Sequence, residues 1–351
     1  MVLVGGEGTR LRPLTLETPK PMVPIMNVPF LERTLRRLKT AGIDEVILPA
    51  GYLPAAISSY FGDGSGLGLR IQYVIEETPL GTAGALKNVA QYINGPFFVL
   101  NGDVLTSLDL RKMLAVHEQK RGMGVLHLIR VEDPSAFGCV VHDADGKVTA
   151  FVEKPKREEA PTNEVNAGTY LLDPAILDLI PEGRMVSIER QTFPLVVAGR
   201  RPLYAYTTAD YWIDIGNPEA YLRAHRNVFD GRMPLGIGQA TEGPGAKDTP
   251  AANWIPPVYI GERVHIAPDA TVGPYVVLGD GCEIGAGANV RDSVLWDGVI
   301  VENGATVEGS IIASLARIGA HAVVKSGSVI GHRSVVSSGS ELDVNARVTP
   351  R

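Results

Sequence analysis

The pattern of apolar and polar positions divides the chain into an alternating first part and a repetitive last part. Up to about residue 228, the short apolar runs at 2–4, 45–48, 71–75 and 97–100 predict strands. Between them, the segments 30–38 and 83–93 predict helices, and Pro29 and Gly42 suit the start and the end of the first. This alternation predicts an α/β fold with a mixed, mostly parallel Rossmann-like sheet, in which ligands bind at the carboxyl ends of the strands.

A different period begins near residue 258. Large apolar residues recur every six positions, and a smaller residue lies two positions before each of them. The series slips twice and resumes each time; its members are Ile260, Ile266, Val272, Leu278, Ile284, Val290, Trp296, Val301, Val307, Ile318, Val324 and Ile330. A six-residue repeat sustained over some seventy residues predicts a left-handed β-helix of stacked coils.

Between these two patterns, residues 230–256 are rich in Gly, Pro and Ala and show no periodicity, which is typical of a linker. The sequence therefore predicts a domain at 1–229, a linker at 230–256 and a β-helix domain at 257–351. The ends of a stack of coils leave open backbone edges and apolar surface. We therefore expect a homo-oligomer that forms through the β-helix.

Composition narrows the class of protein. With 33 Lys and Arg against 39 Asp and Glu, the net charge is −6, which argues against a nucleic-acid partner. Cys139 and Cys282 are too few for a disulfide framework, which favours a reducing compartment. No run of apolar residues is long enough to span a membrane, and the start does not resemble a signal peptide, so the sequence predicts a cytoplasmic protein.

The first predicted strand leads into a glycine-rich turn with Gly5, Gly6 and Gly8. A dinucleotide-binding fingerprint would need a third glycine where Leu11 stands, and the lysine of a P-loop is missing too. Glycines nevertheless let backbone N–H groups approach phosphate oxygens closely. The turn therefore indicates a phosphate site, although an ordinary glycine-rich turn is an open alternative.

Two cations follow this turn. Arg10 offers a forked guanidinium that suits a polyphosphate. Lys20 lies between Pro19 and Pro21, and these prolines restrict the backbone around it. A lysine in a stiff loop suits the charge that builds on a leaving pyrophosphate, whereas a solvated loop lysine is the alternative.

Two carboxylates stand next to apolar runs. Asp103 comes after Gly102 at the end of a predicted buried strand, and Asp214 interrupts the apolar run 211–215. A carboxylate in apolar surroundings is costly unless it is paired or binds a metal. Both therefore favour a Mg²⁺ site over capping or turn roles.

Glu153 and Lys154 lie side by side before Pro155. Neighbouring residues on one strand point to opposite faces, so we expect the strand to end here. Glu153 suits sugar hydroxyl groups and Lys154 suits a sugar phosphate, while a surface charge pair is the alternative.

Taken together, the motifs resemble the sugar-nucleotide pyrophosphorylase family over nearly the whole chain. They are GGEGTRLRPLT at 5–15, PKP at 19–21, PLGTAGAL at 79–86, NGD at 101–103, FVEKP at 151–155, NAGTY at 166–170 and WIDIG at 212–216, followed by the six-residue repeat. The segments SIERQTFP at 187–194 and DPSAFG at 133–138 are similar to the branch that transfers a guanylyl group from GTP to mannose 1-phosphate. Relatives usually carry a few more residues of the first strand before the position of Met1.

The resemblance implies a nucleoside triphosphate and a sugar 1-phosphate as substrates and Mg²⁺ as cofactor. Attack of the sugar phosphate on the α-phosphorus would release pyrophosphate, with Arg10, Lys20 and Asp103 as the catalytic residues. The implied nucleotide-binding residues are Val4, Gly5, Gly6, Gly8, Thr9, Arg10, Lys20, Gly81 and Thr82. The implied sugar-phosphate residues are Gly102, Gly138, Glu153, Lys154 and Asn166, and the implied metal ligands are Asp103 and Asp214.

Glu76 is the candidate that reads the base. It lies five residues before Gly81, where uridylyl members of the family often carry Gln. Guanine presents two adjacent donors to a carboxylate, whereas uracil and thymine flank one donor with carbonyl groups that a carboxylate repels. Glu76 therefore favours GTP, and the alternative is a solvated residue at the end of a strand.

Other functions stay open at this stage. A thymidylyl- or uridylyltransferase acting on glucose 1-phosphate is the nearest alternative. Six-residue β-helices also form acyltransferases, in which His265, His321 or His332 would act as a base, although each stands alone in its repeat. A non-catalytic regulatory subunit is disfavoured because the charged residues of the motifs are all present.

Overall fold

The computed structural model describes residues 1–233, 243–247 and 253–350. The chain forms two compact units. The first comprises Met1–Gly6 and Thr34–Trp212, and the second comprises Glu7–Arg33 and Ile213–Arg351. Much of the predicted linker at 230–256, namely 234–242 and 248–252, lies outside the described residues.

Two helices of the first part, at 110–120 and 218–229, begin after capping residues. Asp109 accepts a hydrogen bond from the backbone of Arg111 (3.0 Å), and Asn217 accepts one from the backbone of Ala220 (2.8 Å). The segment predicted as one helix at 83–93 is instead a helix followed by a 3₁₀ turn at Ala90–Tyr92. The α-helices are α1 (Phe30–Thr40), α2 (Pro54–Phe61), α3 (Gly81–Asn88), α4 (Leu110–Lys120), α5 (Phe193–Ala198) and α6 (Pro218–Phe229).

A mixed sheet forms the centre of the first unit, and two of its strands carry the predicted apolar runs at 2–4 and 97–100. Within the described residues this sheet has the strands Val2–Leu3, Phe97–Asn101, Gly124–Arg130, Gly138–His142, Val148–Glu153, Glu164–Leu172 and Leu203–Thr208. Val2–Leu3 pairs with Phe97–Asn101 in parallel, and Leu203–Thr208 does so with Gly124–Arg130. Glu164–Leu172 lies between the two parallel pairs and runs antiparallel to its neighbours, which the sequence did not predict. The fold class is confirmed.

Other strands of the first 214 residues form smaller pairings. The strands Glu45–Ala50 and Arg70–Ile75 pair in parallel, as their apolar runs suggest. The remaining strands of this part are Pro24–Ile25, Val28–Pro29, Val104–Thr106 and Trp212–Asp214.

The C-terminal residues form three parallel sheets, as expected for the predicted left-handed β-helix. The first sheet contains Asn253–Trp254, Thr271–Val272, Asn289–Arg291, Thr306–Glu308, Val323–Val324 and Glu341–Leu342. The second contains Val258–Ile260, Val276–Leu278, Val294–Leu295, Ile311–Ile312, Val329–Ile330 and Arg347–Val348. The third contains His265–Ile266, Glu283–Ile284, Ile300–Val301, Arg317–Ile318 and Val335–Val336.

The predicted slips of the repeat are real, and they reflect a change in coil length. Val258 pairs with Val276, eighteen residues on, whereas Val277 pairs with Val294, seventeen residues on. The prediction for Trp296 is wrong in one respect, because Leu295 takes the interior position at the first slip. Trp296 packs outside this core, where its indole nitrogen donates to the hydroxyl of Tyr221 (3.0 Å). In the described part of the chain, no helix is long and apolar enough to cross a membrane.

Candidate functional site

In the first unit, the carboxylate of Glu76 lies beside two glycines. A β-carbon on Gly5 would lie 3.7 Å from Oε2 of Glu76, and one on Gly51 would lie 3.8 Å from it. Glu76 is half-buried at the end of its strand, while Glu77 is exposed. Burial raises the pKa of Glu76, and a backbone hydrogen bond from Leu80 partly opposes this shift. A partly desolvated carboxylate next to the glycine-rich turn is suited to accept hydrogen bonds from a ligand.

Gly81 and Thr82 begin α3 and pack against the segment 186–189. Gly81 has a φ of +70°, and a β-carbon there would lie 2.7 Å from the carbonyl oxygen of Val186. Only glycine fits this position without strain. The Thr82 hydroxyl donates to Oε2 of Glu189 (2.9 Å) and accepts from the backbone of Ile188 (2.8 Å). Its hydroxyl is therefore engaged within the protein.

Glu189 links this corner to the predicted sugar-binding residue Asn166. Its carboxylate also accepts from the Ser187 hydroxyl (2.9 Å) and the Tyr170 hydroxyl (3.3 Å). Asn166 in turn donates from Nδ2 to the Tyr170 oxygen (2.7 Å). Sequence reasoning gave Glu189 no role, although its segment SIERQTFP was noted. A carboxylate between the apolar residues Ile188 and Phe193, both fully buried, was the available signal.

The predicted sugar-phosphate residues Gly138, Glu153 and Lys154 come together in the first unit. The strand ends at Glu153, as expected, and Lys154 adopts a left-handed φ of +49°. Nζ of Lys154 lies 4.0 Å from Oε1 of Glu153, and Nε of Arg190 lies 3.8 Å from the same oxygen. A β-carbon on Gly138 would lie 2.8 Å from Oε2 of Glu153, so glycine leaves room for this carboxylate.

Two charges therefore flank Glu153, and sequence reasoning missed Arg190. Burial raises the pKa of Glu153, and the charges of Lys154 and Arg190 oppose this shift. The side chains of Lys154 and Arg190 are more than half exposed. They can reach a phosphate group in solvent, while Glu153 offers acceptors to hydroxyl groups.

Val4, Gly6, Gly102 and Asp103 complete the predicted residues of the first unit. The backbone of Gly102 donates to the carbonyl of Leu3 (2.9 Å), which ties this turn to the first strand. Val4 is buried, whereas Gly6 is exposed and a β-carbon on it would have no neighbour within 4 Å. Asp103 is half-buried in the turn between Phe97–Asn101 and Val104–Thr106.

In the second unit, Gly8, Thr9 and Lys20 lie on one folded segment. Gly8 has a φ of +62° and precedes the 3₁₀ turn Thr9–Leu11. A β-carbon on Gly8 would lie 3.1 Å from Cβ of Lys20. Lys20 is only 9% exposed. The structure thus brings Lys20 to the glycine-rich turn.

Arg10 and Asp214 also lie together in the second unit. Nη2 of Arg10 is 4.0 Å from Oδ2 of Asp214, and Oδ1 of Asp214 accepts from the backbone of Gly216 (2.7 Å). These partners offset the cost of placing a carboxylate in this apolar run. Among residues 1–233, 243–247 and 253–350, no group of three or more His, Cys, Asp or Glu is arranged as a metal site. Carboxylate oxygens are nevertheless the donors that Mg²⁺ prefers, so the chemistry of Asp103 and Asp214 fits this ion.

Comparison with known proteins gives a family for each part of the chain. The family described as Nucleotidyl transferase matches residues 1–231, and the GMPPB C-terminal domain matches residues 254–350. A mannose-1-phosphate guanylyltransferase of Mycobacterium tuberculosis is 44% identical over 310 residues, which cover 88% of this chain and 82% of the relative. A UTP–glucose-1-phosphate uridylyltransferase of Synechocystis is 32% identical over 370 residues, covering 99% of this chain and 90% of the relative.

A solved structure is similar to about two thirds of the chain. HddC from Yersinia pseudotuberculosis, complexed with GMP-PN, is 33% identical with a TM-score of 0.55. The match covers 64% of this chain and 96% of that structure.

Proposed function

The chain belongs to the nucleotidyl transferase family, and from that premise we propose that it joins GTP to mannose 1-phosphate, forming GDP-mannose and pyrophosphate. The observation that carries the choice of GTP is the half-buried Glu76 carboxylate beside Gly5 and Gly51. It offers two acceptors to the adjacent N1–H and N2 amino donors of guanine. The high identity to a relative named for this reaction supports the choice of sugar.

The cations divide the work between the two substrates. Arg10 and Lys20, with the backbone of Gly8 and Thr9, stabilise the charge on the triphosphate. Lys154 and Arg190 hold the sugar phosphate. Glu153 accepts hydrogen bonds from sugar hydroxyl groups, and Asn166 donates to them. Catalysis of this kind rests on positioning and charge stabilisation rather than on a covalent intermediate.

Asp103 and Asp214 would hold Mg²⁺, which would supply charge neutralisation at the phosphates. The residues 1–229 would carry the reaction, and the β-helix at 257–351 would support it and mediate assembly. We place the protein in the cytoplasm; both cysteines are free and buried, as suits a reducing compartment.

Uridylyl transfer to glucose 1-phosphate is the second candidate, favoured by the similarity to a relative of that name. A pyrophosphate-release screen separates the two: five nucleoside triphosphates are combined with mannose, glucose and N-acetylglucosamine 1-phosphates. We expect the highest kcat/KM for GTP with mannose 1-phosphate. A preference for UTP with glucose 1-phosphate would reject the first candidate, and no release with any pair would reject both.

A further inference from the structure

The segment Glu7–Arg33 packs in the same compact unit as the β-helix. Its first part, as far as Met22, contains three single 3₁₀ turns, Thr9–Leu11, Leu14–Leu16 and Lys20–Met22. Such short turns close few hydrogen bonds and have little stability of their own. The position of Lys20 therefore depends on what this segment packs against.

His332, on a coil of the β-helix, contacts the middle turn of the segment. Its Nε2 lies 3.0 Å from Oγ1 of Thr18 and 3.3 Å from the carbonyl oxygen of Leu14. The neighbouring Arg333 forms an ion pair with Glu17. Since the Leu14 carbonyl can only accept, Nε2 carries the hydrogen when it bonds there.

The other side of His332 is held as well. Its ring, only 6% exposed, makes an edge-on contact with Trp296 at 5.3 Å between centroids. Trp296 donates to the Tyr221 hydroxyl (3.0 Å), which donates to the carbonyl of Pro24 (2.6 Å). The β-helix and α6 therefore hold the segment before and after Lys20.

Thr15 connects the turn that His332 contacts with the predicted phosphate-binding residues. Its hydroxyl donates to the carbonyl of Gly8 (2.8 Å). Its methyl carbon lies 3.0 Å from where a β-carbon on Gly8 would be, next to Lys20. Because Thr15 belongs to the turn that His332 holds, a shift of this turn would displace Gly8 and Lys20 together.

We propose that His332 is a positioning residue for the nucleoside triphosphate: by binding Leu14 and Thr18 it fixes Gly8 and Lys20 for phosphate binding. The inference rests on the proposed function and assigns a role in the reaction to the β-helix. His332 does not touch the substrate. Its ring serves as a fixed donor, and burial lowers its pKa, which favours the neutral form.

The test compares His332→Leu, which removes the donor, with His332→Gln, which keeps one near Nε2. The control is His265→Leu, since His265 is an exposed histidine of the same β-helix. For each protein, kcat and both KM values are measured, GTP binding is measured by calorimetry without sugar phosphate, and stability is measured by urea unfolding.

We expect His332→Leu to weaken GTP binding and raise its KM about tenfold, the effect of one lost hydrogen bond. The KM for the sugar phosphate should stay unchanged. His332→Gln should recover most of the lost GTP binding, and His265→Leu should have the parent's values. In a Thr18→Val background the effect of His332→Leu should shrink, since the two residues share one contact.

Two results would overturn the proposal. One is a His332→Leu variant with the parent's GTP binding and KM. The other is an equal rise in the KM values for both substrates that follows the loss of stability and is not reversed in His332→Gln. That result would show that the role of His332 is purely structural. Failure of the proposed function is distinguishable, because the parent itself would then neither bind GTP nor release pyrophosphate.

Discussion

At the scale of single residues, Glu76 and Glu77 form a natural matched pair. They are neighbours in sequence, but Glu76 is half-buried and Glu77 is exposed. We expect Glu76→Gln to lower kcat/KM for GTP by about 10-fold, because a bidentate contact contributes ~1–3 kcal/mol, and to raise the relative use of UTP. Glu77→Gln should leave both unchanged. An unchanged nucleotide ranking in Glu76→Gln would mean that the base is read elsewhere.

The pH dependence follows from the same carboxylate. Burial raises the pKa of Glu76, so it gains a proton at a higher pH than an ordinary glutamate as the pH falls. A protonated carboxyl loses an acceptor for guanine. We expect kcat/KM for GTP to fall as the pH is lowered. In Glu76→Gln this fall should be smaller, because the part that protonation of Glu76 causes is absent. Identical acid limbs in parent and variant would contradict this.

Substitutions of Asp103 and Asp214 test whether these residues bind Mg²⁺. We expect Asp103→Asn and Asp214→Asn each to reduce turnover by roughly two orders of magnitude or more, since neutral amides bind Mg²⁺ less well than carboxylates. Far-ultraviolet circular dichroism checks that the fold persists, and a Mg²⁺ titration locates the defect. Asp109→Asn, in a capping residue, is the control. If a variant turns over at the parent rate with the parent's Mg²⁺ dependence, the substituted aspartate is not a metal ligand.

Substitution of Lys154 tests whether this residue binds the sugar 1-phosphate rather than the nucleotide. Its side chain is more than half exposed beside Glu153 and has room to approach a phosphate. We expect Lys154→Ala to raise the KM for the sugar 1-phosphate at least tenfold and the KM for GTP far less. Initial rates over a grid of both substrates measure this, with Lys156→Ala as a nearby control. An equal rise in the two KM values would reject the assignment.

At the scale of elements, the segment 187–192 joins α3 to the strand Glu164–Leu172 through Glu189. Three hydroxyl groups donate to this carboxylate, from Thr82, Ser187 and Tyr170. In Glu189→Gln one carboxylate oxygen becomes an NH₂ group that cannot accept. We expect a loss of about 1–3 kcal/mol in the free energy of unfolding, and a higher KM for both substrates because both sides of the network shift.

Urea unfolding and initial rates measure this, and the exposed Glu182→Gln is the control. A Glu189→Gln protein with the parent's stability and KM values would show that the network contributes little.

At the scale of the whole molecule, assembly through the β-helix stays a prediction. Leu315, Val335 and Val344 are each about 60% exposed on that part of the chain. We expect a dimer or larger oligomer in light scattering, and Val335→Asp to shift it toward the monomer. Met185→Asp, at a residue 70% exposed outside the β-helix, is the control. Unchanged mass in a Leu315→Asp, Val335→Asp double variant would place the interface elsewhere.

Removal of the β-helix is a poor test of assembly for this protein. The segment Glu7–Arg33 packs within the same unit, and Asn27 donates to the carbonyl of Leu278 (2.8 Å). Truncation near Gly231 would remove His332, which bonds Leu14 and Thr18, and Trp296, which bonds Tyr221. Surface substitutions separate assembly from the folding of that segment.

The sequence by itself determined the elements and most of the candidate chemistry. Short apolar runs and the six-residue period report which positions are buried, so strands of the sheet and the β-helix were predictable, including both slips of the repeat. Lys20 was singled out by its two flanking prolines and its place after the glycine-rich turn. The roles of the predicted residues in the reaction stay predictions.

Only the tertiary structure decided which side chains meet across long stretches of chain. Thr82 binds Glu189, 107 residues away, and Thr18 meets His332, 314 residues away. A one-residue change in coil length placed Leu295 inside the β-helix and Trp296 outside it, against Tyr221. Local periodicity carries no information on such partners, because packing of distant elements fixes them and each bond depends on the final position of both.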